Sequence, residues 1–307
     1  MKKALCLAAL AVGLVGMSAG TARGHRVLGM DVPRQLHAAG TPSGSGQLIY
    51  HGGPVMHANT TYAIYWIPPG YTAQAGYSTL IDQYFTDVAA DSGLTTNVNY
   101  TATQYHDGAG NVRYRSSFGG SYTDTAPLPA SRCTDSYTAV CLSAVQIRAE
   151  IQRTIAKTGW ATGPSSAFFL FTAKGVGSCD GSDCAFSKIC GYHAVIGTGS
   201  SEILYANIPY ADTVRSRCDG GQHPNSNEAD ATINTTSHEH SEMITDPRGT
   251  AWYDSSHSED GDKCAGIFGP LSGTTAGGKW NQTINGHHYF TQEEYSNRDR
   301  GCVQTGL

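Results

Sequence analysis

The sequence has few charges and no basic cluster. Only 15% of its 307 residues are Asp, Glu, Lys or Arg, and the formal net charge is −5 at pH 7. A mildly acidic chain without grouped Lys and Arg lacks the electrostatic footprint of a protein that binds nucleic acid or an anionic membrane surface. Outside the N-terminal residues 1–22, a G-x-S-x-G nucleophile elbow and a glycine-rich phosphate loop are also missing. We therefore expect no nucleic-acid partner, and the candidate chemistry lies in other residues.

No apolar run in the sequence is long enough to cross a membrane. The longest, residues 4–17, follows a short basic start and precedes the small residues Gly20 and Ala22. This pattern is typical of a secretory signal peptide, which we predict over residues 1–22. Its removal takes away two Lys and no acidic residue, which leaves a formal charge of −7. We therefore expect a secreted, extracellular protein with no membrane span.

The cysteines lack the C-x-x-C spacing of a structural zinc knuckle. Cys6 lies in the predicted signal peptide, and an even number of Cys remains for an oxidising compartment, so we expect four disulfides. Cys133 with Cys141 would close a local loop, and Cys264 with Cys302 would tie back the C-terminal segment. The other pairings stay open. The candidate residues are Cys133, Cys141, Cys179, Cys184, Cys190, Cys218, Cys264 and Cys302.

Sequence periodicity predicts one α+β domain. Residues 23–45 are rich in Gly, Pro, Ser and His and are predicted to form a disordered leader, whereas residues 46–307 show no linker. Helical apolar periods alternate with β-branched and aromatic runs typical of strands. A helix over residues 225–245 should end at Asp246-Pro247. The expected fold is a mixed β-sheet followed by this helix and stabilised by disulfides. The other predicted helices cover 78–93 and 143–159, and the strands fall within 60–70, 165–175, 191–199 and 201–210.

The stretch HEHSE, residues 238–242, carries the candidate chemistry. On a helix, His238 and Glu242 share one face a turn apart. Glu239 lies about 100° further round the axis. This is the geometry of the H-E-x-x-H zinc helix, with Glu242 in place of the second His and Glu239 as general base. His240 points to nearly the opposite side. The plain alternative is a solvated helix face that carries a His–Glu pair.

A catalytic zinc needs a third protein ligand, and the acidic stretch that ends at Cys264 offers one. We expect Glu259 or Asp262 to fill this role, although the stretch also suits an ordinary surface loop. Zinc is the expected metal, and calcium is less favoured because the regular D-x-D-x-D-G spacing is absent. His193, in CGYH, is an accessory candidate, because a lone His in a strand is typical of a core residue.

Several blocks in order resemble the secreted phosphate-induced protein, or Exordium, family. They are LIYHGGPV, CGYH, the H-E-x-x-E block with TDP and AWY, EDGDKC, and NGHHYF with QEEYSN, across roughly residues 46–303. Plant members are extracellular cell-wall proteins linked to growth. Relative to the plant pattern, Cys133 and Cys141 are additional. The resemblance implies site positions at His238, Glu239, Glu242, Glu259, Asp262 and His193. The sheet followed by an H-E-x-x helix is also similar, at the level of fold, to zincin metallopeptidases.

Two functions from different classes follow from these patterns. The first is a secreted zinc-dependent peptidase, in which Glu239 activates a water on a metal bound by His238, Glu242 and one of Glu259 or Asp262. The second is a non-catalytic binding protein of the wall or cell surface, in which the same residues hold a structural ion. The expected partner is a protein or peptide substrate in the first case and cell-wall material in the second.

Overall fold

A computed structural model describes residues 29–32 and 41–305 of the chain. The predicted signal peptide, residues 1–22, lies outside the described residues. Within the described ranges, no helix is both long and apolar enough to cross a membrane. The predicted α+β class is confirmed: a mixed sheet, flanking helices and disulfides form one body.

The described ranges contain long central elements and many short hairpins. The α-helices are α1 (Tyr77–Ala90), α2 (Ala144–Thr158), α3 (Arg215–Cys218) and α4 (Ala229–Thr245). The strands are β1 (Ile49–Tyr50), β2 (Asn59–Trp66), β3 (His106–Asp107), β4 (Gly110–Asn111), β5 (Ser116–Asp124), β6 (Val140–Ser143), β7 (Ser166–Thr172), β8 (Val176–Asp180), β9 (Asp183–Cys184), β10 (Tyr192–Ile196), β11 (Ile203–Ile208), β12 (Trp252–Tyr253), β13 (Gly273–Thr274), β14 (Lys279–Trp280), β15 (Gln282–Ile284), β16 (His287–Tyr289), β17 (Glu294–Ser296) and β18 (Gly301–Val303). Short 3₁₀ helices cover Val98–Gln104, Gly199–Ser201, Ala211–Val214 and Asp262–Cys264.

The central sheet has the strand order β10-β11-β7-β2-β5. Its strands are parallel except β10, which pairs antiparallel with β11 at one edge. The run SAFFLFT in β7 is buried at every position. A continuous apolar run of this kind is typical of a parallel strand covered on both faces. The antiparallel edge strand β10 carries His193 and contacts α4.

Helices cover the sheet on both faces. Phe169 and Phe171 of β7 pack in one core cluster with α1 and α4, whereas Phe168 and Leu170 pack in another with α2. Because side chains alternate along a strand, this division follows directly from the sequence of β7. Gly159, at φ 71°, ends α2 in the left-handed conformation that glycine adopts without steric cost.

The α4 helix is buried along its whole length of 17 residues. Its predicted end before Asp246 is confirmed, but it begins at Ala229 rather than at residue 225. The preceding residues form a turn instead, because the Asp230 carboxylate accepts the Asn225 and Asn227 amides at 3.1 and 3.3 Å. Local side-chain hydrogen bonds of this kind compete with helix formation.

Part of the predicted leader is among the described residues. The Ser43 amide donates to the Lys263 carbonyl at 2.8 Å. The Ser45 amide donates to Asp254 Oδ2 at 2.6 Å. Residues 29–32 lie along residues 188–190. These contacts place residues 29–32 beside the segment that precedes β10, and Ser43 and Ser45 beside the loop that follows β12.

The eight predicted cysteines form four disulfides. The expected pairs Cys133–Cys141 and Cys264–Cys302 are confirmed. The pairs left open by the sequence are Cys179–Cys184 and Cys190–Cys218. Two of the four stand beside the candidate site, since Cys190 precedes His193 and Cys264 follows Asp262.

The two confirmed disulfides should differ in their contribution to stability. They close loops with sequence separations of 8 and 38 residues. Loop-closure entropy predicts losses of about 2.5 kcal/mol for the double Ser variant of Cys133 and Cys141 and about 4 kcal/mol for that of Cys264 and Cys302. Urea unfolding of each variant beside the wild type measures both. Equal losses would contradict the entropic account.

Candidate metal centre

The C-terminal half of α4 carries the H-E-x-x-E motif into the core. His238 and Glu242 lie a turn apart, and His238 Nε2 is 3.0 Å from Glu242 Oε1. Glu239 follows His238 around the axis. All three residues have relative exposures of 0%. The predicted helix-face pair is therefore present, but it faces the protein interior, so the alternative of a solvated helix face is wrong.

Strand β10 brings His193 to the same place. Its Nδ1 lies 3.2 Å from Glu239 Oε2 and 3.6 Å from Glu242 Oε2. Its Nε2 is 3.8 Å from Glu259 Oε1 and 3.4 Å from the carbonyl oxygen of Asp246. His193, predicted only as an accessory residue, therefore lies between α4 and the acidic loop that follows β12.

The acidic loop completes the cluster. Asp262 Oδ1 is 3.8 Å from His238 Nε2, and the Asp262 amide donates to Glu242 Oε1 at 2.9 Å. Glu259 approaches from the side of His193. Glu242 joins the two sides because its Oε1 faces His238 and its Oε2 faces His193. Two groups of three have ligand atoms within 4.8 Å of one another: His193, Glu242 and Glu259, and His238, Glu239 and Glu242.

The unsatisfied atoms of this cluster fit a cation. Glu242 Oε2, both oxygens of Glu259 and both ring nitrogens of His238 are buried without a hydrogen-bond partner. His238 Nε2 and Glu242 Oε1 are 3.0 Å apart, which is close enough for a hydrogen bond, but the two groups are not oriented to form one. Two tetrahedral zinc ligands with bonds of about 2.1 Å stand about 3.4 Å apart. Buried polar atoms that approach without bonding are expected where they converge on a shared ion.

The cluster holds more acid than base. Burial, followed by the charge of Glu242, raises the pKa of both Glu259 and Asp262 well above its ordinary value. Burial alone would raise the pKa of Glu242, but His238 and His193 lower it to about 2. Burial also opposes protonation of His193, yet the neighbouring carboxylates raise its pKa to about 10. A buried site with such an excess of carboxylate is suited to a divalent cation.

The donor set favours zinc over calcium. His238 and His193 offer imidazole nitrogens, which suit zinc, whereas calcium takes six to eight oxygen ligands. Other carboxylates of the loop are used for support instead. Asp254 accepts Lys263 Nζ at 3.0 Å, and Asp260 accepts the Ser241 hydroxyl at 2.7 Å. These two bonds hold the loop and leave Glu259 and Asp262 for the cluster.

Two glycines permit the close approach of these segments. A Cβ on Gly191 would lie 2.7 Å from Thr235 Cγ2 and 3.2 Å from Glu239 Oε1. A Cβ on Gly261 would lie 2.7 Å from His238 Nδ1. The motifs CGYH and EDGDKC contain these glycines, so the signal was present in the sequence. The reason that these positions require glycine depends on which segments pack against them, and only the structure shows this packing.

The remaining histidines near the motif have other roles. His240 Nε2 lies 3.1 Å from Asn59 Oδ1, and burial lowers the pKa of His240 to about 4. It is thus a neutral core residue, as its predicted position on the opposite side of α4 implies. His257, in the acidic stretch, is exposed and stacks on Tyr253 with ring centroids 5.0 Å apart.

Two further groups have metal-like spacing but other partners. Asp212 pairs with Lys174 at 2.8 Å, and Asp219 pairs with His223 at 2.8 Å. The sulfurs of Cys133, Cys141 and Cys179 belong to disulfides. Among the described residues, the cluster around Glu242 is therefore the group whose donor atoms are left to bind an ion.

The chain matches no protein-family model, no curated protein and no solved structure.

The metal content of the purified protein tests the site. Elemental analysis should find about one zinc per chain, and His238→Ala and Glu242→Ala should each lose it. His193→Ala should weaken zinc binding, because the structure adds this imidazole to the predicted set. His240→Gln is the matched control, since it changes a His of the same helix outside the cluster. Full zinc retention in both the His238 and Glu242 variants would rule the site out.

Proposed function

We propose that this chain is a secreted zinc-dependent peptidase. The observation that carries the proposal is that Glu242 joins two buried groups of possible ligands, one with His193 and Glu259 and one with His238 and Glu239. Several of their atoms have no hydrogen-bond partner. On the loop side, Glu259 Oε1 lies 3.8 Å from His193 Nε2, and Asp262 Oδ1 lies 3.8 Å from His238 Nε2. The disulfides support secretion, because such bonds persist in oxidising compartments.

The residues of the cluster divide into ligands and a base. Zinc held there would supply Lewis acidity and lower the pKa of an attacking water. His238 and Glu242, with His193 or a loop carboxylate, hold the ion. Glu239 stands beside them, and burial raises its pKa above the ordinary value of a Glu. A carboxylate with a raised pKa is a better general base near neutral pH, so Glu239 takes the proton of the attacking water and passes it to the leaving amine.

The surrounding fold supports this assignment. A mixed sheet with an antiparallel edge strand packs against the helix that bears the H-E-x-x-E motif. This agrees with the fold-level similarity to zincin metallopeptidases noted from the sequence. Because one fold can host many functions, the similarity adds weight only together with the chemistry of the cluster.

One observation favours the second function. His193, His238, Glu239, Glu242 and Glu259 all have relative exposures of 0–1%. A structural metal site is closed, whereas a catalytic site keeps an open position for water. A closed site fits a non-catalytic extracellular binding protein of the Exordium type, with the ion as part of the core. The two functions thus differ in whether Glu239 acts on anything.

The substitution Glu239→Gln separates the two functions. The wild type, loaded with zinc, should slowly cleave unfolded casein, and a chelator should stop the reaction. Glu239→Gln keeps the size of the side chain but cannot act as a base, so hydrolysis should fall by about 10²–10⁴-fold with zinc still bound. Activity and zinc content are measured on the same samples.

A matched control is Glu293→Gln, which makes the same change at a buried carboxylate outside the cluster, with a relative exposure of 8%. It should leave hydrolysis and zinc content unchanged. A wild type that holds zinc and cleaves nothing in a broad peptide library would favour the non-catalytic function.

A further inference from the structure

Residues 29–32 lie beside the candidate site as an added strand. The Cys190 amide donates to the Met30 carbonyl at 2.7 Å, and the Val32 amide donates to the Lys188 carbonyl at 2.8 Å. Between these bonds, Asp31 forms an antiparallel bridge with Ile189. The contact therefore uses main-chain groups in the alternating pattern of an antiparallel pair. Residues 188–190 lead directly into β10 and His193 and are fixed by the Cys190–Cys218 disulfide.

The same segment binds the proposed base. The Met30 amide donates to Glu239 Oε1 at 3.0 Å. The Met30 side chain has a relative exposure of 1% and packs in an apolar cluster. The other buried members of this cluster are Ala185, Phe186, Cys190, Ala211, Cys218 and Ala231. The partly buried Val32 side chain also packs against this cluster. An extended chain is thus anchored by two apolar side chains and by its backbone, with an amide placed on Glu239.

The position before Met30 must be small. A Cβ on Gly29 would lie 2.4 Å from Tyr192 Cα and 2.5 Å from the Gly191 carbonyl oxygen. Both atoms belong to the backbone just before His193, and this backbone cannot move aside without moving β10. Glycine at position 29 is therefore required for the segment to lie where it does.

We propose that residues 188–190 and Glu239 form a groove for extended peptides with glycine followed by an apolar residue, and that residues 29–32 occupy this groove in the chain itself. The consequence rests on the proposed function: in a peptidase, the bound segment inhibits the enzyme in cis. A peptide that adds as a strand gains affinity from main-chain hydrogen bonds and specificity from side-chain pockets. The tethered segment competes with an external peptide at an effective concentration in the millimolar range.

The test uses the full chain with Gly29→Val, which leaves every residue of the cluster intact. Gly108→Val is the matched control, because a Cβ there meets nothing within 4 Å and its backbone is not left-handed. Hydrogen–deuterium exchange is read at the amides of Met30, Val32 and Cys190. They should be protected in the wild type and in the control and exposed in Gly29→Val, whereas the amides of β11 should stay protected in all three.

Peptide binding gives the second measurement. A synthetic peptide with the sequence of residues 27–34 should bind Gly29→Val at least about tenfold more tightly than the wild type, because the tethered copy no longer competes. The same peptide with Val in place of its Gly should not bind. Casein hydrolysis by zinc-loaded Gly29→Val should rise by a similar factor. Met30→Pro, which removes the amide that donates to Glu239, is a second variant should Gly29→Val fail to fold.

The outcomes separate the two proposals. Unprotected Met30 and Val32 amides in the wild type would overturn the occupied groove, as would a displaced segment without any gain in peptide binding. If Gly29→Val binds the peptide and neither form hydrolyses any substrate with zinc bound, the groove stands and the peptidase function fails.

Discussion

The structure depends on the burial of several carboxylates around one point of α4. An ionised carboxylate in a protein interior is costly unless a charge or hydrogen bonds compensate it. Here the described compensation comes from two imidazoles, His238 and His193, and several donor atoms remain without partners. The supporting bonds of Asp254 and Asp260, the two close-packed glycines and two disulfides all hold segments against this point. The burial of these carboxylates is understandable if the cluster binds an ion, because ion binding adds to the free energy of folding.

The two proposed functions differ in whether water and substrate can reach the cluster. The cluster is closed in the described structure, which is the property expected of a structural ion. Part of that closure comes from Met30, whose amide bonds to Glu239 and whose side chain fills an apolar pocket. A lid formed by a short added strand differs from closure by the core itself, because a few hydrogen bonds and the side chains of Met30 and Val32 hold it. The burial of the site is therefore partly due to residues 29–32 and not to the core alone.

Much of the architecture follows from the sequence, as do the residues of the site, but the burial of the site and the central place of His193 do not. The periods that predicted α1 and α2, the apolar run of β7 and the end of α4 reflect local rules. The burial of α4 on every side escaped prediction, because its Thr, Ser, His and Glu residues are those of a solvated helix. His193 was predicted only as an accessory residue, because a lone strand histidine carries no spacing signal. Its position depends on the register of β10 with β11, in which it faces Ala206.

The raised pKa values of Glu259 and Asp262 have a consequence for how the site is filled. Both carboxyls hold protons to a higher pH than an ordinary acidic side chain because burial disfavours their charged forms. The imidazole of His193 also holds its proton more firmly than usual. A divalent cation binds the deprotonated forms of these groups, so its entry must release protons to the solvent. Binding of an ion at this site would therefore be coupled to pH, and acidification of the medium would favour its release.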